Sequence, residues 1–281
     1  MADRNESTIL VTGATGKVGR RLTERLRTAG HDVRPVSRST AVPFDWFDRS
    51  TWAAALEGVG AVYIIPPDEP FPADEFAAEA VKAGASRLVA QAGRRIHLLT
   101  ELLGIEPGTI GMHAAQEAVQ KTDATWTVLQ PNNFNQNFNE GIHLDELHAG
   151  ELALPLDDAA EPFIDADDIA AVAAAVLTED GHHGRIYELS GPEALTYAEA
   201  VAAISEATGM EVSFRYEGPE AHSARLRSAG APEELIGFLE AMYQLMREGG
   251  IGEVADGVKQ VLGREAVSFA DWAATADFGR A

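Results

Sequence analysis

Short β-rich apolar runs alternate with amphipathic helical stretches through the first half of the chain. Residues 8–12 (TILVT) and 60–65 (GAVYII) are nearly continuous apolar runs, the pattern of strands buried on both faces. The same reading predicts strands at 31–36 and 43–47, and helices at 17–29 and 51–57. Beyond these it predicts a long helix at 74–92, weakly interrupted at Gly84, a fifth strand at 95–100 (RIHLLT), a helix at 113–121 and a sixth strand at 125–129. After about residue 140 the pattern becomes helix-rich. Helices are expected at 167–178, 197–208, 232–248 and 252–262, with one strand at 185–190 (RIYELS).

Strands alternating with helices imply right-handed crossovers and a parallel sheet covered on both faces. The expected fold class is therefore α/β, a doubly wound parallel sheet with a smaller helix-rich C-terminal lobe. Residues 1–150 are assigned to the sheet domain and 151–281 to the lobe, with 185–191 returning to the sheet. No stretch rich in Pro, Gly or Ser separates independent domains.

Between the first strand and the first helix lies Gly13-Ala14-Thr15-Gly16-Lys17-Val18-Gly19. A glycine string of this kind carries information only in that setting, which is the one a dinucleotide turn requires. Gly13 permits the tight turn, Gly16 lets backbone N–H groups approach a pyrophosphate, and Gly19 lets the helix pack close. The helix start then offers free N–H donors and a positive dipole end. The second strand ends at Ser37-Arg38, where an NAD site usually carries an acid for the ribose hydroxyls. Ser37 and Arg38 can instead hold a 2′-phosphate, so NADP(H) is the expected cofactor, although Arg38 as a solvated surface residue also fits.

Composition narrows the field. The chain has 281 residues, 46% of them hydrophobic, and a formal charge of −22. That balance disfavours nucleic acid and anionic membranes as partners. No cysteine is present, which removes disulfides, thiolate nucleophiles and Cys-type metal sites together. The polar start 1–7 is not expected to be a secretory signal, and no apolar stretch approaches the ~20 residues of a membrane span. A cytoplasmic protein, monomer or homodimer, is expected.

These residues resemble the atypical short-chain dehydrogenase/reductase superfamily, in particular its NmrA-like NAD(P)-binding branch, over nearly the whole chain. ILVTGATGKVGRRL is similar to that branch's cofactor turn and VSRS to its NADP-type strand end. FDWFDRSTWAAAL looks like the segment whose Asp45 faces adenine and whose Asp48 caps the next helix. GAVYIIPP resembles the strand end lining the ribose and nicotinamide, here Ile65, Pro66 and Pro67. QPNNFNQNF is similar to the stretch closing the nicotinamide pocket, here with Pro131 and Phe134. PFIDADDIAAVAAAVL, YELSGPEALTYAEA and GREAVSFADW match the C-terminal lobe. Looser matches at 231–235 and 268–272 resemble reductases of ergot-alkaloid type. The resemblance implies a Rossmann-type fold and an oxidoreductase, but one departure stands out. The superfamily's Tyr-x-x-x-Lys pair is absent, since none of the five tyrosines precedes a lysine by four places. Counting back from Pro131, the corresponding places are Gly108 and Met112.

Other groups are therefore candidates for chemistry. Thr100, expected at the end of strand five, is assigned both to the cofactor edge and to substrate orientation, with a bond to local backbone as the alternative. His113 opens the helix that normally carries the lysine, one place away, and one residue turns a helix by about 100°. Asn132, Asn133, Asn135 and Asn137 cluster after strand six, and Asn133 is taken as the site amide. Asp167 or Asp168 is expected to cap the following helix, Glu117 and Lys121 to pair on a helix surface, and His182-His183 to form a solvated turn; no metal site is expected. Phe238, Met242, Tyr243 and Met246 recur at helical spacing, as core or as a lid over an apolar substrate. Hydride transfer needs little protein acid. The first expectation is thus an NADP(H)-dependent reductase of a small, largely apolar molecule, of the kind handled in specialised metabolism. The alternatives are a non-catalytic NADP(H) sensor with a protein partner, and a cyclase or isomerase on the same scaffold.

Overall fold

A computed structural model describes residues 7–279; 1–6, which fall in the segment read as lacking a secretory signal, lie outside the described residues. In chain order β1 (Thr8–Val11), α1 (Lys17–Thr28), β2 (Val33–Ser37), β3 (Val42–Pro43), α2 (Trp52–Leu56), β4 (Val59–Ile64), α3 (Ala73–Lys82) and β5 (Arg87–Gln91) come first. α4 (Ile96–Leu103), α5 (Gly111–Gln120), β6 (Thr125–Pro131), α6 (Gln136–Asn139), α7 (Leu144–His148), β7 (Glu151–Leu154) and β8 (Ala160–Glu161) follow. The chain continues through α8 (Ala166–Thr178), β9 (Arg185–Leu189), β10 (Leu195–Thr196), α9 (Tyr197–Thr208) and β11 (Ser213–Tyr216). It closes with α10 (Pro219–Ser228), α11 (Glu233–Arg247), α12 (Gly257–Leu262) and α13 (Phe269–Thr275).

Seven strands form one parallel sheet in the order β3-β2-β1-β4-β5-β6-β9. Alternate residues of each central strand enter opposite cores: Leu10, Val62 and Leu88 face α2, α3 and α5, while Val11, Tyr63 and Val89 face α1, α8 and α12. A third core, with Phe138, Phe163, Tyr197 and Phe269 at its centre, lies beneath the C-terminal lobe. β9 joins the sheet edge, and α8 packs on α1, so much of the chain beyond residue 150 also belongs to the sheet's layers.

Several elements differ from the sequence reading, among them the helix expected at 252–262, which begins only at Gly257. The helix expected at 74–92 stops at Lys82, because Gly84 takes φ 111°, which a helix cannot continue through. Arg87–Gln91 is then the central strand β5, with Leu88, Val89 and Ala90 fully buried. The expected fifth strand at 95–100 is the helix α4, which buries Ile96, Leu99 and Thr100 at i, i+3 and i+4 and ends at Gly104 in the left-handed region. The third strand is two residues long. Its continuation turns away at Asp45, whose side chain accepts from Phe47 N (2.9 Å).

The acidic stretch before α8 also divides differently. Asp165, not Asp167 or Asp168, is the N-cap, accepting from Asp167 N at 3.0 Å. Asp168 is buried and binds Arg264 (2.6 Å) and Val267 N (2.7 Å), fixing the C-terminal segment to α8. Asp168→Ala, leaving these donors unpaired, should lower the unfolding free energy in urea by about 1–3 kcal/mol. Asp167→Ala, which removes only a half-exposed partner of Arg21, should cost less than about 1 kcal/mol.

Candidate active site

The glycine turn has the geometry that the motif requires. Gly13 sits at φ 57°, and Gly16 N donates to Gly13 O at 2.9 Å. A Cβ on Gly19 would collide with the Gly13 carbonyl and Ala14 Cα, so only glycine allows α1 to start this close to the turn. Gly16 is the N-cap of α1, and no side chain caps that end or places an acid in its first turn. Thr15 and Gly16 are exposed, Val18 and Gly19 buried, and Ile65 packs directly over Gly13. The cradle and its free donors fit a diphosphate.

Lys17 crosses from α1 to the segment after strand six, where its Nζ donates to Asn137 Oδ1 at 2.8 Å. Burial lowers its pKa, against the raising effect of Glu140. At the end of β2, Ser37 Oγ accepts from Ser39 N (3.2 Å), and Arg38 is exposed with no hydrogen bond or ion pair among the described residues. Asp45 is half-buried in its own turn, and its main-chain carbonyl accepts from Trp52 Nε1 (3.1 Å). Pro66 and Pro67 leave β4 half-buried; the Pro67 carbonyl lies so close to Gly111 that no side chain fits there.

At the carboxyl edge of β5 and β6 lies a cavity of about 330 Å³. Its sheet side is Gln91, Gly93 and Pro131–Phe134, with Lys17 and Asn137 at the end nearest the glycine turn. Ile96 and Leu99 of α4, Met112 of α5, and Phe238, Met242 and Leu245 of α11 supply apolar walls. The α11 stripe thus divides: Phe238 and Met242 face the cavity, whereas Tyr243 and Met246 are buried in the core beneath the lobe. A larger open groove of about 960 Å³ between α2 and α3, lined by Arg49 and Glu75, lies away from this edge.

Two arginines fasten that lobe. Arg94, with its side chain almost fully buried, donates to Glu188 (2.9 Å) and to the carbonyls of Ile251 and Glu253. Arg95 donates to Gly250 O (3.0 Å) and Glu253 (2.6 Å) while holding φ 48°, a left-handed conformation costing about 1–2 kcal/mol that these bonds offset.

Several expected residues lie elsewhere. Thr100 is in α4, bonded to His97 O (2.8 Å), and does not line the cavity; the end of strand five is Gln91, missed because its strand was read as helix. His113 is buried one helix position past Met112 and is turned from the cavity, with Nδ1 unpartnered and its pKa lowered by burial. Of the asparagines, 132, 133 and 137 reach the cavity and Asn135 is sealed in the core. Gly108 is outside it. His182 bonds Tyr187 (2.9 Å), Lys121 lies nearer Asp74 (3.1 Å) than Glu117 (3.9 Å), and no metal-binding cluster occurs among the described residues. No helix there is long and apolar enough to cross a membrane.

A family of NAD(P)H-binding proteins matches residues 13–180. The chain belongs to that family. It is 34% identical to the (4-alkanoyl-5-oxo-2,5-dihydrofuran-3-yl)methyl phosphate reductase of Streptomyces griseus, covering 95% of this chain and 96% of the relative. It is 30% identical to festuclavine dehydrogenase of Aspergillus fumigatus, covering 95% and 96%. Among solved structures, an NADPH-dependent quinone oxidoreductase of Escherichia coli bound to NADPH aligns with TM-score 0.75 at 21% identity, over 94% and 98% of the two chains. The negative transcriptional regulator NmrA bound to NAD aligns at 0.73 and 18%, over 97% and 95%. The chain is thus an NAD(P)H-binding protein with a Rossmann-type fold.

One buried carboxyl was not a sequence candidate. Glu161, on β8, is 1% exposed; burial, partly countered by Asn133 and Arg94, pushes its pKa up to about 7. The folded state keeps this proton from about pH 4.5 to 7 while the unfolded chain loses it, so stability falls as pH rises through that window. Glu161→Gln should therefore raise stability by about 1–3 kcal/mol at pH 8 and by little at pH 4.5, read from melting curves at the two pH values.

Proposed function

We propose that this chain is an NADP(H)-dependent reductase of a small, largely apolar organic molecule. The observation carrying this reading is the apolar-walled cavity that runs from the phosphate end at Lys17 to the residues after strand six. Donors at the start of α1, with Lys17, would hold the diphosphate. Ser37 and the unpaired Arg38 would hold the 2′-phosphate, with Asp45 near adenine, and Ile65–Pro67 and Pro131–Phe134 would border the nicotinamide. The reduced cofactor supplies the hydride. Phe238, Met242, Leu245 and Leu99 exclude water and orient the acceptor, which raises the effect of every polar group left facing it.

Among the described residues no tyrosine, histidine, serine or threonine lines the cavity, so no hydroxyl or imidazole there stands ready as acid. That suits substrates whose reduced form needs no strong protein acid, such as quinones, conjugated enones and activated imines. The same absence favours a second reading, an NADP(H)-responsive regulator.

A screen of NADPH consumption against ketones, enones, quinones and imines separates the two. Turnover is expected with at least one electron-poor class; tight NADPH binding with no turnover would transfer the chain to the regulator reading. Arg38→Ala should weaken NADPH by about tenfold or more while leaving NADH within about twofold, by calorimetric titration. Tighter wild-type binding of NADH than NADPH would overturn the NADP assignment.

A further inference from the structure

Glu161 lies outside the cavity but touches its lining. Its Oε2 accepts from Asn133 Nδ2 at 2.5 Å, and its Oε1 is sealed from solvent with no partner. Asn133 is half-buried and lines the cavity, and its main chain is pinned, the carbonyl accepting from Ile164 N at 2.9 Å. An ionised carboxylate has only acceptor capacity, so it binds the NH₂ end of an amide and never the oxygen. With Nδ2 turned to Glu161, the end of the Asn133 amide left for the cavity is Oδ1, which has no hydrogen-bond partner among the described residues.

We infer that Glu161 is a positioning residue that orients the Asn133 amide so that the cavity presents a hydrogen-bond acceptor, selecting substrates that carry an O–H or N–H donor beside their apolar body. The inference rests on the reading of this cavity as the substrate site. Of the other polar groups of the lining, Gln91 Oε1 accepts from Tyr63 (3.0 Å), Lys17 binds Asn137 and Arg94 is taken up by the lobe, while Asp68 is exposed at the rim with no side-chain hydrogen bond among the described residues. When Glu161 takes up a proton it becomes a donor as well, and the amide can turn to offer its oxygen to the carboxyl and its NH₂ to the cavity. The preference for donor-bearing molecules is then lost. The charged and titratable groups facing Glu161 are Arg94, which favours its ionised form, and the buried Tyr197 and Tyr243, which desolvation keeps neutral.

A matched pair of probes reads this polarity: 2-naphthol and 2-methoxynaphthalene, the same ring system with and without the donor. Their dissociation constants are measured by calorimetry on the full chain from pH 5.5 to 8.5, with and without saturating NADPH. Wild-type protein should favour 2-naphthol by about five- to tenfold at pH 8.5, the ratio collapsing toward one below about pH 6. Glu161→Gln, whose own amide can bind either end of Asn133, should give a ratio within about twofold and a flat pH profile. Asn133→Leu, at a half-exposed position that tolerates change, should do the same. A ratio that is equal in wild type and both variants, a flat wild-type profile, or no binding of either probe to the wild type at millimolar concentration would overturn the proposal. Failure of NADPH to bind, with the naphthol preference intact, would count against the reductase reading alone.

Discussion

The approach of α1 to the turn before it, closer than any side chain allows, is the constraint on which the rest depends. Gly19 lies against the Gly13 carbonyl with no room for a Cβ, which sets the first turn of α1 at the carboxyl edge of β1. Because Gly16 caps that end without a side chain and the first turn carries no acid, its N–H groups and dipole are unspent. Arg20 and Arg21 then tie α1 to Glu140, and Lys17 ties it to Asn137, so the segment after strand six is held beside the same turn. One steric fact thus places both the free N–H donors of α1 and one end of the cavity.

The other end depends on fastening. An apolar wall made by α11 closes only if that helix is held against the sheet, and the bonds that hold it come from the loop after β5. Arg94 and Arg95 are adjacent, and both bind the 250–253 segment that follows α11. The left-handed backbone of Arg95 marks where the chain leaves strand geometry to begin α4. Packing of the third core beneath the lobe supplies the breadth of the contact, and the arginines supply its register.

Most polar side chains of the lining are already bonded: Gln91 to Tyr63, Asn133 to Glu161, Arg94 to Glu188, and Asn137 to Lys17, while Asn132 Oδ1 and Glu161 Oε1 are buried beside the cavity without a partner. Burying Glu161 with one oxygen unpaired costs stability, and such a cost persists where the surroundings over-determine it. His143, held neutral by burial with a pKa of about 4, shows the same environment acting on a base.

The sequence by itself determined the parts whose cause is local. The glycine turn, its flanking strand and helix, the Ser37-Arg38 strand end and the apolar strands β1 and β4 are each dictated by residues within a few positions of one another. The missing Tyr-x-x-x-Lys pair was legible in the same way. Tertiary structure decided the rest. RLVAQ and RIHLLT are both short apolar runs, and periodicity alone does not separate a buried strand from a helix that buries one face. Only the pairing of Arg87–Gln91 between β4 and β6 made the first a strand, leaving the second to cover the cavity as α4 and carrying Thr100 away from the edge. His113 missed the cavity by one helix position, a rotation set by how Gly111 packs under Pro67. Glu161 drew no notice in the sequence because a lone glutamate before a proline has no signature; its meaning comes from burial beside an asparagine 28 residues away. Local chemistry is written in neighbouring residues, but which groups share a low-dielectric space is set by packing between distant ones.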